Sequence, residues 1–152
     1  MNERAYEDYT VGERIVSRGH TLTEAAIIDF AFRYDPQPFH IDVEAARQGP
    51  FGGVIASGFQ TLAVAFRILW DTGAIAGGLG SPGFDELRWL KPVRPGDTIR
   101  TRIEILEKRV SSSKPDRGIL RVRHDVVNQR DEPAMTFTST VFVPRRDQGA
   151  PS

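Results

Sequence analysis

Hydrophobic and polar positions alternate differently in the two halves of this chain. In the first half the repeat is helical. Ile27, Phe30, Ala31 and Tyr34 recur at three- and four-residue spacing and predict a helix that ends where Pro36 and Pro38 follow. Thr21-x-x-Glu24 reads as its capping box, with Thr23 a second candidate cap. A short strand is predicted over Glu13 to Arg18. A short helix is predicted over Asp42 to Gln48, with Asp42 as cap. Ala56 to Asp71 carries almost no polar face. Phe59, Leu62, Phe66, Ile68, Leu69 and Trp70 predict a helix buried on most sides.

After Pro82 the period becomes two. Ile99, Thr101, Ile103 and Ile105 alternate with Arg100, Arg102 and Glu104. Leu120, Val122 and Val126 alternate with Arg121, Arg123 and Asp125. Met135, Phe137, Val141 and Val143 share a parity. Each run predicts an antiparallel strand with one buried face. The turn formers of Arg94 to Asp97, Ser111 to Gly118 and Asn128 to Glu132 separate them. The expectation is an α+β fold in which a four-stranded meander curls around one central helix. The chain reads as a single domain, residues 1–152, with 145–152 a frayed tail.

Composition removes several function classes. Lysine plus arginine and aspartate plus glutamate both number 20 in 152 residues, so no net field favours nucleic acid or an anionic membrane. There is no cysteine, hence no disulfide framework and no thiolate chemistry. The three histidines lack metal-ligand spacing, so no metal is expected. No apolar run predicts a signal core or a membrane span, and a cytoplasmic location is expected.

The chemistry-bearing stretch is Tyr34-Asp35-Pro36-Gln37-Pro38-Phe39-His40. It sets a carboxylate and an imidazole five residues apart on backbone that the prolines are expected to hold out of a helix. Histidine both takes and gives a proton near neutral pH. Seventeen residues on, Ser57-Gly58 opens the apolar helix, whose first N–H groups lack intrahelical partners and carry partial positive charge. His124 shares the parity of a buried strand face and reads as a core or interface residue. His20 reads as structural. Trp70 and Trp89 read as core. Arg88, Lys91 and Arg94 fit either the phosphates of coenzyme A or a solvated strand end.

Asp35-Pro36-Gln37-Pro38-Phe39-His40, Ala56-Ser57-Gly58-Phe59 and Leu87-Arg88-Trp89-Leu90-Lys91-Pro92-Val93-Arg94-Pro95-Gly96-Asp97 together resemble the MaoC-like hydratase/dehydratase family, which includes the (R)-specific enoyl-CoA hydratases. One departure is Gln37, where the family pattern has asparagine. The resemblance implies a hot-dog fold and a hydro-lyase acting on the 2,3 double bond of an enoyl thioester. It implies Asp35 and His40 as the catalytic pair on one water, with Gly58 at the substrate and Ser57 as the helix cap, a partner of Asp35 or a further substrate contact. It implies no cofactor beyond the coenzyme A or acyl carrier protein of the thioester itself, a place in fatty acid metabolism, and a homodimer or larger homo-oligomer. A hot-dog thioesterase and a non-catalytic acyl-thioester-binding subunit are the competing readings. The Asp35/His40 pair argues against both.

Overall fold

The computed structural model describes residues 3–146. The element order is β1 (Arg14–Val16), β2 (His20–Thr21), α1 (Glu24–Tyr34), α2 (Pro38–Ile41), α3 (Val43–Gln48), α4 (Gly58–Trp70), β3 (Gly83–Trp89), β4 (Thr98–Val110), β5 (Arg117–Val127) and β6 (Pro133–Pro144), preceded by a 3-10 turn at Tyr6–Asp8. The sheet runs β1-β4-β5-β6-β3, with β2 also on β4, and the pairings are antiparallel. Three strands, β4 to β6, form the meander. The fourth, β3, is not its continuation but precedes it in the chain and lies against the far edge of β6. The four-stranded meander expected from the pattern is corrected in this respect.

The strand parities hold. Ile99, Thr101, Ile103 and Ile105 of β4 are buried, as are Leu120, Val122 and Val126 of β5 and Met135, Phe137 and Val143 of β6. These faces form the concave side on which α4 lies. Ala65, Ile68 and Leu69 of α4 are at most 1% exposed against them. Full burial of a side chain the size of Ile68 contributes about 1.5–3 kcal/mol. One flank of α4 is open. Phe59, Phe66 and Trp70 remain 59%, 53% and 44% exposed, and with Phe84 they line an apolar hollow of about 470 Å³. The expected burial on most sides holds where α4 meets the sheet and α1, to whose Ala26 carbonyl Gln60 donates, and is corrected for the stripe of Phe59, Phe66 and Trp70, which nothing among the described residues covers.

Thr23, not Thr21, caps α1, accepting from the Ala26 N–H at 3.2 Å. Asp42 caps α3 by accepting from the Ala45 N–H at 2.9 Å, as its position predicted. His20 sits in the two-residue β2 on Ile99. The expected tail from 145 is corrected at its start. The N–H of Arg145 donates to the Asp116 carbonyl, and that of Arg146 to Glu7 Oε2. Residues 147–152 lie outside the described residues. No described helix is long and apolar enough to cross a membrane.

His124 is buried on the concave face, as its parity predicted. Its ring stacks on Phe137 at 4.1 Å, and Nε2 lies 2.8 Å from Ser139 Oγ. Burial pushes its pKa from 6.5 down to about 4. The unfolded chain thus takes up this proton near pH 6.5, and the folded one only near 4. Between those values the unfolded state holds more proton, so stability is lost as pH falls through that window, by about 3 kcal/mol at its acid end. His124→Gln removes this share of the slope. Denaturant unfolding at pH 7 and pH 4.5 checks it; equal acid losses in the two proteins would assign the slope to other groups.

Candidate active site

Proline chemistry builds the Asp35/His40 arrangement. Pro36 bars the right-handed helical conformation at the residue before it. Asp35 accordingly leaves α1 at φ −156° and ψ 69°, while its N–H still caps the helix on the Ala31 carbonyl. Gln37, before Pro38, is extended at φ −70° and ψ 141°. Pro38 then opens a new helix as its first residue, where proline's missing N–H costs nothing. His40 is therefore helical, in the four-residue α2, and only 4% exposed. The sequence reading had both residues on a stiff loop. That holds for Asp35 and is corrected for His40, because the second proline starts a helix as well as the first one ending one.

His40 is held from both sides. Nδ1 lies 2.7 Å from the Ile55 carbonyl oxygen, which can only accept, so Nδ1 carries a proton. Nε2 is thereby left to exchange one, and it faces Asp35 Oδ2 at 3.2 Å. The Ile55 N–H donates to the Phe39 carbonyl at 3.1 Å, and the Ala56 N–H to the Val93 carbonyl at 2.8 Å. The Val54–Ala56 segment, just before α4, is thus bonded to α2 on one side and to Val93 on the other.

Asp35 accepts from the Ser57 hydroxyl at 2.6 Å on Oδ2 and from the Gln37 amide at 2.7 Å on Oδ1. Partial burial pushes its pKa up, but the hydrogen bonds from Ser57 and Gln37 and the attraction of His40 outweigh it. The carboxyl is held below the usual 3.8. Gln37 thus braces the carboxylate. Ser57 both caps α4, accepting from the Phe59 N–H at 3.2 Å, and holds Asp35. It is 0% exposed and stands behind Asp35, not on the cleft wall.

Asp35, Gln37, His40, Gly58 and Trp89 face a cleft of about 530 Å³. The Gly58 N–H, at the start of α4, has no partner among the described residues. Sequence reasoning expected glycine here so that a ligand can approach. The structure adds a second cause. A β-carbon on Gly58 would sit 2.4 Å from Cε2 and 2.5 Å from Nε1 of Trp89. Trp89 was expected in the core. It is 50% exposed, as Trp70 is 44%, and its ring lies on Gly58 at the cleft wall. Lys91 is paired with Glu132, and Arg94 donates to the Phe51 carbonyl at 2.7 Å.

Such a site offers a proton-exchanging pair beside a free backbone donor. It can move a proton where negative charge grows on a neighbouring oxygen.

Comparison with known proteins places the chain. The MaoC like domain family matches residues 8–128. The chain is 40% identical to a MaoC-like dehydratase from Rhodospirillum rubrum, with 95% of this chain and 99% of that one covered and a TM-score of 0.86. It is 30% identical to the uncharacterized protein YdeM of Bacillus subtilis, over 91% of this chain and 98% of that protein. A mesaconyl-CoA hydratase of Cereibacter sphaeroides is 37% identical over 70 residues, 46% of this chain and 20% of the hydratase. A Mycobacterium tuberculosis protein with a double hot-dog fold aligns at a TM-score of 0.79 and 20% identity, over 99% of this chain and 47% of that one. That likeness shows the fold, which is the hot-dog fold. The chain belongs to the MaoC-like domain family, and its relatives support a hydratase or dehydratase kind of activity.

Proposed function

We propose that this member of the family is a hydro-lyase that adds water across the 2,3 double bond of an enoyl thioester, or removes it. The observation that carries the reading is the Asp35/His40 pair, 3.2 Å apart, at one cleft with the free Gly58 N–H. One water lies between the pair and the β-carbon. The pair takes a proton from it as the oxygen–carbon bond forms. The π electrons move onto the thioester oxygen, and the resulting enolate then takes a proton at the α-carbon. Dehydration reverses each step. The growing oxyanion is held by the Gly58 N–H at the positive end of α4. Ser57 acts through Asp35, as a positioning residue. The thioester belongs to coenzyme A or an acyl carrier protein.

The functional unit of this reading is a homodimer in the cytoplasm. Phe59, Phe66, Trp70 and Phe84 form a contiguous apolar stripe, and among the described residues β3 leaves one sheet edge unpaired. A second copy covers both, as such patches and edges require. Sedimentation at micromolar concentration should show a dimer, and a monomer alone would defeat that part.

The test of the reaction follows two signals at once. With crotonyl-CoA and longer or branched enoyl-CoA thioesters, the absorbance of the conjugated double bond should fall while no free thiol appears. Thiol release from saturated acyl thioesters without hydration would replace this reading by a thioesterase. Binding without either reaction would replace it by a non-catalytic acyl-thioester carrier.

A further inference from the structure

Trp89 reaches the cleft only because β3 is irregular. Phe84 of β3 faces the concave side, its ring 4.8 Å from that of Phe137. Five residues on, Trp89 would face the opposite side in a regular strand, since side chains alternate. The register shows why it does not. Asp85 pairs with Thr138 and Arg88 with Thr136, so three steps on β3 match two on β6. The extra residue is accommodated at Glu86, whose φ of 53° lies in the left-handed region that non-glycine residues rarely adopt. That bulge restores Leu87 and Trp89 to the side of α4, where Leu87 packs on the core and Trp89 lines the cleft. Its ring is set edge-on to Phe59, centroids 6.2 Å apart.

The atoms nearest the place of a Gly58 β-carbon are Cε2, Nε1 and Cζ2, so the indole lays its face over the start of α4 with the Nε1 side of the ring above Gly58. The protein offers this N–H no acceptor among the described residues. Nε1 lies 2.5 Å from the place of a Gly58 β-carbon. The Gly58 nitrogen is itself about 2.5 Å from that place by covalent geometry. The two nitrogens are therefore no more than about 5 Å apart. One oxygen can accept from two donors up to roughly 6 Å apart at ordinary hydrogen-bond lengths.

We propose that the Trp89 indole N–H is a second donor to the thioester oxygen, acting with the Gly58 N–H. A bare backbone donor is thus joined by a side chain whose position the β3 bulge fixes. This rests on the hydratase reading, and its test separates the two.

Trp89→Phe keeps a ring on Gly58 and removes only the N–H. It should lower kcat for crotonyl-CoA by about 10- to 100-fold, with KM within about threefold, because the bond strengthens as charge develops. Butyryl-CoA should still bind. A ring that served as a mere wall would leave kcat unchanged in a folded Trp89→Phe protein, and that result overturns the proposal. In Trp70→Phe protein, Trp89 is the single tryptophan, and its emission should change on titration with butyryl-CoA. Unchanged emission at saturation overturns the proposal even if Trp89→Phe proves unstable. Wild-type protein that hydrates no enoyl thioester defeats the hydratase reading itself, whatever Trp89 does.

Discussion

Asp35→Asn and His40→Gln are each expected to cut hydration by at least about 100-fold, the lower end for positioned acid/base groups. The structure lets the two losses be separated from unfolding. At residue 35 the amide oxygen can still accept from Ser57, and Gln37 can turn its own amide to meet the new NH2. Stability should barely move. His40→Gln is costlier. Its ring is 4% exposed, and removing it frees the buried Ile55 carbonyl. An unpaired buried acceptor costs about 1–3 kcal/mol. Because Asp35 and His40 act on one water, the double variant should be little worse than the more damaged single one. Steady-state rates with thermal unfolding on the same samples check this. Full hydratase activity in either folded single variant would defeat the pair as the catalytic centre. The acid limb of the wild-type rate carries a further mark. Asp35 is held below 3.8, so it stays ionised throughout mildly acidic pH.

What was legible in the sequence follows from how local each cause is. Asp35 and His40 could be found because Pro36 and Pro38 act on their immediate neighbours. Even there the four-residue α2 was missed, being too short to show a helical period. The strands β4 to β6 could be read from alternation because each has one buried face. β3 could not. Its residues Gly83–Trp89 are mostly exposed, and the bulge at Glu86 breaks the parity on which such a reading depends. Trp89 was lost with it, and no signal in its own neighbourhood separates a core tryptophan from one laid over a helix start. The open flank of α4 was misjudged for a different reason. An all-round apolar pattern says that every side is to be covered, but not by which chain.

Gly58→Val is expected to abolish most turnover, by about 100- to 1,000-fold, the range for losing an oxyanion donor. Gly58 is not among the positive-φ glycines, so valine fits the backbone. In the first turn of a helix valine has a higher propensity than glycine, so the helix itself does not oppose the change. Its β-carbon, however, falls 2.4 Å from the Trp89 ring, a distance no real packing tolerates. Trp89 is half exposed, so its indole can swing outward without disturbing the sheet. The fold should survive while the cleft changes in two ways. The indole leaves the start of α4, and the valine methyls stand where the thioester oxygen approaches the backbone N–H. Both losses fall on the charge that develops during reaction, so kcat should suffer more than the affinity for the saturated thioester. Near-normal kinetics with crotonyl-CoA in a folded Gly58→Val protein would move the oxyanion site away from α4, and would leave the Asp35/His40 pair in search of another electrophile partner.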